Sequence, residues 1–160
     1  MPTNPVGSQR EISLLFDVFV LNQRLRPLLT RALVGTGMRP DEYAVYSLLF
    51  DVGPLTPTEM ARQMGMALTT VLDYVRSMVA RGHATRRAHA ADGRAFQLRY
   101  TAKGLAAFHE ASDAWNRALA PLEPALSIPA KDVRRALHAL DDAAAETLRT
   151  FMRDSIGKAS

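Results

Sequence analysis

Residues 56–101 read TPTEMARQMGMALTTVLDYVRSMVARGHATRRAHAADGRAFQLRYT. Thr56-Pro57-Thr58-Glu59 has capping-box spacing with proline at the first helical position, so a helix opens there, and Gly65 cuts it short. The next helix is expected from Leu68 to Arg81, stopping at Gly82. The pattern then changes to two short strands, Ala84–Ala88 and Phe96–Tyr100, joined by a turn around Ala91-Asp92-Gly93-Arg94. Helix, glycine turn, helix and basic hairpin in this order make a winged helix-turn-helix.

The second of these helices has two unlike sides. At 100° per residue, Leu68, Val71, Leu72, Val75, Met78 and Val79 fall within about 60° of one another and are expected to pack inward. Thr69, Thr70, Asp73, Arg76 and Ser77 lie opposite. They are polar and mostly short, which suits a helix laid in a major groove roughly 12 Å wide. Asp73 would be repelled by phosphates; it either accepts from a cytosine amino group or pairs with Arg76, and the pair is favoured. Ala67 stands where a capping side chain is preferred, which leaves the helix start weakly specified.

Working outward, Ser8-Gln9-Arg10-Glu11 also has capping-box spacing, and apolar residues three or four apart follow to the region of Val34–Gly37. Pro27 inside this stretch is expected to kink or break the helix. Pro40-Asp41-Glu42 opens another helix that stops at Gly53. Thr101 caps a helix striped by Leu105, Phe108, Ser112, Trp115, Leu119 and Leu122, which Pro121 and Pro124 end. A last helix from Pro129 carries Val133, Leu137, Leu140, Ala144, Leu148 and Phe151 on one stripe. The fold expected is mainly α, with six helices and a small β-hairpin wing. Residues 38–101 form the reading head, and helices from both termini (1–37 and 102–160) form a dimerisation region, because the two C-terminal stripes are too long to bury against so small a head.

The 160 residues carry a formal charge of only +4, but its distribution is uneven. Between residues 60 and 100, seven arginines stand against Asp73 and Asp92, so that quarter is near +5 and points to a polyanionic partner. The absence of cysteine excludes disulfides, thiolate catalysis and Cys-ligated zinc. His83, His89, His109 and His138 lack close ligand spacing, so no metal is expected, and His83 and His89 are expected to face solvent or phosphate. No phosphate-binding glycine loop or nucleophile motif is present, so neither enzyme activity nor a cofactor is expected. No apolar run reaches membrane-spanning length and the N-terminus lacks secretory-signal features, so the expected location is cytoplasmic, with no membrane partner.

Gly53 to Ala61, Thr69-Thr70-Val71, Arg81-Gly82, Asp92-Gly93-Arg94, Leu98, Tyr100-Thr101 and Gly104 together resemble the multiple-antibiotic-resistance regulator (MarR) family. The resemblance implies a homodimeric regulator of transcription on a palindromic operator in double-stranded DNA, with repression the expected outcome. It implies that Arg94 enters a minor groove while Asp92 holds the wing's shape, with Arg86 and Arg87 on the basic strand beside them. It also implies a crevice between head and dimer core for a small aromatic or phenolic effector, where Phe16, Phe19, Tyr43, Tyr46, Phe108 and Trp115 are candidates. The plainer reading of these aromatics is core packing. The alternative for the whole chain is a winged helix used as a protein-interaction or scaffold module, which leaves the arginine cluster unexplained.

Overall fold

The computed structural model describes residues 13–88 and 96–157, with side chains through residue 153. Six helices and one hairpin follow in the expected order. α1 spans Leu14–Ala32 and is capped by Ser13, whose Oγ accepts from the Phe16 amide. The capping box expected at Ser8–Glu11 lies outside the described residues. Pro27 sits inside α1 without ending it, so of the kink or break expected there the break does not occur. Its missing N–H forfeits one backbone bond, which a 19-residue helix absorbs.

α2 (Pro40–Val52) starts on proline and stops at Gly53, whose φ of 91° no side-chain-bearing residue adopts easily. α3 (Pro57–Met64) has both halves of the expected capping box: Thr56 Oγ1 accepts from the Glu59 amide, and Glu59 accepts from the Thr56 amide. α4 (Leu68–Ala80) begins at Ala67 with no side-chain cap, as the sequence implies. β1 (Ala84–Ala88) and β2 (Phe96–Tyr100) pair antiparallel, Ala84 opposite Tyr100 and Ala88 opposite Phe96. Leu55 adds a one-residue bridge to Leu98, which ties the hairpin base to the start of α3. α5 (Ala102–Leu119) is capped by Thr101, and α6 runs from Ala130 to Gly157.

The core is built mainly from α2, α3, α4 and β2. Val45 and Tyr46 of α2, Met60 of α3, Val71, Val75 and Met78 of α4 and Leu98 of β2 are fully buried, and Phe108 and Ala111 of α5 close over them. Truncating a buried methionine such as Met78 to alanine would cost about 2–5 kcal/mol. One inward assignment fails: Leu68 is 42% exposed, while Tyr74, beside the stripe, is buried. Leu68 is the first residue of α4. Tyr74 lies under the start of α2, with the Arg39 guanidinium 5.8 Å from its ring centre.

Outside the head little is covered. α1 leaves Leu14, Leu15, Phe16 and Phe19 about half exposed or more. α6 makes at most marginal contacts with other elements, and Leu137, Leu148 and Phe151 on its apolar stripe are all more than half exposed. No helix among the described residues is long and apolar enough to cross a membrane.

Candidate nucleic-acid interface

α4 shows one side to the core and one to solvent. Thr69, Thr70, Asp73 and Arg76 are exposed. With no side chain capping the helix, its first-turn amides stay open to an acceptor, and the helix dipole there favours an anion. Asp73 and Arg76 form an ion pair one turn apart, both largely exposed, so the pairing favoured from sequence is the one present. Ser77 differs from its expected outward role: it is half-buried, donates to Glu42 at 3.4 Å and accepts from Arg81 at 3.0 Å.

After the buried Ala84, all four remaining residues of β1 are exposed, while β2 stays anchored on the core through the fully buried Leu98. Arg86 and Arg87 lie on β1, and Arg99 is exposed on β2 opposite Thr85. The Arg86 guanidinium stands 4.8 Å from the Phe96 ring centre, which holds the cation against the ribbon without neutralising it. Asp92 and Arg94 lie in the connection from Ala88 to Phe96, outside the described residues. Arg62, exposed on α3, adds a cation to the head.

His83 is not on the surface. It follows Gly82 at the turn from α4 into β1, is buried, and places Nδ1 2.8 Å from the Tyr46 hydroxyl of α2. Burial lowers its pKa first, and the nearby Arg81 and Lys103 charges lower it further. Tyr46 is pushed up to about 12 by burial. The Tyr100 hydroxyl donates to the Tyr46 carbonyl at 2.7 Å, and burial raises its pKa as well. No local pattern marks this cluster, because its members lie on three separate stretches of the chain. Glu42 is likewise buried and ion-paired with Arg81.

The six aromatic effector candidates do not come together. Tyr43, Tyr46 and Phe108 are buried core, and Tyr43 packs on Phe108 and on the half-buried Trp115, with centroids 5.9 and 4.8 Å apart. Phe16 and Phe19 point outward from α1. Phe50, missed in the sequence although it sits four residues after Tyr46, stacks on Phe108 at 4.6 Å. An apolar groove of about 670 Å³ between α1, α5 and α6 is lined by Trp115 together with Leu25, Leu119 and Leu137. Among the described residues no group of three or more metal-ligating side chains converges.

A helix-turn-helix whose second helix leaves a polar side free, followed by a basic ribbon, defines a winged-helix protein. No family model matches the chain. The M. tuberculosis transcriptional regulator MOSR, solved in complex with DNA, superposes with a TM-score of 0.73 at 24% identity, covering 85% of this chain and 98% of that one. A MarR variant from E. coli complexed with operator DNA gives 0.69 at 18% identity, covering 86% and 99%. The transcriptional repressor YetL of Bacillus subtilis is 24% identical over 97 residues, 59% of this chain; the chain thus spans only 58% of that relative. The structural neighbours are MarR-family regulators, and the fold of this chain is the winged helix of the MarR type.

Proposed function

We propose that the chain is a sequence-reading regulator of transcription that binds double-stranded DNA as a homodimer, with α4 in the major groove and the hairpin beside it. The observation that carries this reading is the exposed group of Thr69, Thr70 and Arg76 on α4 next to a ribbon that bares Arg86, Arg87 and Arg99. Short polar side chains can approach base edges, and the arginines supply phosphate contacts. Asp92 and Arg94 take the wing-tip roles on the resemblance alone. Ser77 leaves the contact set because it is engaged with Glu42 and Arg81. MOSR and MarR, solved on DNA, have the same fold and support this use of it.

Residues 38–101 are the reading head, and α1, α5 and α6 build the dimer. The uncovered stripe of α6 needs a second apolar surface, and a second copy brings a matching one by symmetry. A dimer places two heads on a palindrome, and occupancy of that operator represses transcription in the cytoplasm. An aromatic effector would enter the groove at Trp115 rather than the packed core around Tyr46, and by wedging α5 from α6 would alter the spacing of the heads. Sedimentation should report twice the chain mass of 17.6 kDa. A monomer at micromolar concentration would remove the two-fold operator from this reading.

A further inference from the structure

The C-terminal end of α4 is held by one guanidinium that reaches three elements. Arg81 ion-pairs with the buried Glu42 of α2, donates to Ser77 of α4 at 3.0 Å, and donates to the Gly37 carbonyl in the α1–α2 turn at 3.4 Å. Its own carbonyl accepts from Lys103 of α5 at 2.9 Å. Ser77 closes the triangle by donating to Glu42. The Glu42 side chain is 7% exposed and that of Arg81 32%, so water screens the pair little.

We infer that Glu42 and Arg81 are positioning residues that fix the pose of the recognition helix, and so set sequence discrimination without touching DNA. This rests on the DNA-reading assignment above. Two observations separate positioning from plain stabilisation. A buried ion pair loses its hydration on folding, and an apolar pair of like volume usually serves stability as well or better. The Nε–H of Arg81 is also buried without a partner, a cost that a site selected for stability alone would shed. In return the planar guanidinium offers donors in fixed directions, one toward each of α2, α4 and the turn leading from α1, which a lysine ammonium cannot reproduce. Because Gly37 lies in the turn that joins α1 to α2, the same side chain ties the pose of α4 to the element entering the dimerisation region.

The test uses the full-length protein, the duplex that it enriches from a random library, and a scrambled duplex of equal length. Two forms are compared with the parent: the double variant Glu42→Leu with Arg81→Met, and Arg81→Lys. The double variant is expected to melt at or above the parent temperature and to bind scrambled duplex within about twofold of the parent, while its affinity for the enriched duplex falls about tenfold or more. Arg81→Lys, which keeps the charge, should show the same preferential loss to a smaller degree. Either variant folding normally and keeping the parent's ratio of the two affinities overturns the inference. Failure of both variants to fold overturns it too, since the pair would then be a stability element. A parent that does not discriminate the two duplexes defeats the DNA-reading assignment instead.

Discussion

The Tyr46 hydroxyl and Nδ1 of His83 stand 2.8 Å apart in the core and join α2 to the turn that leaves α4. Burial, and then the charges of Arg81 and Lys103, lower the His83 pKa below the ordinary 6.5. As pH falls through about 6.5 the unfolded chain takes up a proton that the folded site refuses, so stability drops from there down to the folded pKa and is level above it. Denaturant midpoints at pH 7.5 and 5.5 should therefore fall further for the parent than for His83→Gln, which keeps a hydrogen-bonding group. Equal losses would show that His83 does not control acid sensitivity. Tyr46 acts at the other extreme: with its pKa pushed to about 12, folding loses stability as pH rises above 10, where the unfolded phenol ionises first.

Gly104, in the first turn of α5, packs its Cα directly on the His83 backbone, and a Cβ there would overlap the His83 carbonyl oxygen and carbon. Thr101 fixes the same approach: its amide donates to the His83 carbonyl at 3.1 Å and its hydroxyl to the Gly82 carbonyl at 2.6 Å. Gly104→Ala gains about 1 kcal/mol of helix propensity but must push α5 off the turn. A net destabilisation of about 1–3 kcal/mol is expected in urea unfolding. A variant as stable as the parent would mean that α5 docks less closely than described.

Asp73 pairs with Arg76 on the exposed side of α4. Asp73→Asn should free the guanidinium for phosphate, so that affinity for any duplex rises and the salt dependence steepens by about one ion. Stability should change by only about 0.2–0.5 kcal/mol, the worth of a one-turn surface pair. Anisotropy titrations at several salt concentrations measure both slopes. An unchanged slope would place Arg76 out of reach of the backbone.

Where structure is decided by near neighbours, it was legible in the sequence. Pro40 and Gly53 bound α2, Thr56 and Glu59 cap α3, Gly82 ends α4 and Thr101 caps α5, each through contacts within a few residues. The Asp73–Arg76 pair is local as well. His83 is expected outside because nothing beside it marks burial; its partner Tyr46 lies 37 residues away, and Thr101, which caps α5, bonds its carbonyl from beyond the wing in sequence. Ser77 turned inward for the same reason, drawn to Glu42 35 residues earlier. A helical wheel shows which side of α4 is polar but not which polar group finds a buried carboxylate. The aromatics to which the resemblance assigns an effector crevice also fit core packing, and Tyr43, Tyr46 and Phe108 are buried in the core.

Selection of bound sequences from a random duplex library, followed by titration of the winner and of unselected duplex at two salt concentrations, tests the central claim most directly. The result expected is enrichment of a two-fold symmetric sequence with half-site centres about 10 base pairs apart or a multiple of that. The winner should bind at least about 10³-fold more tightly than unselected duplex, and both affinities should fall steeply with salt. Absence of enrichment, with duplex binding that does not respond to salt, would contradict the assignment of α4 and the wing to DNA.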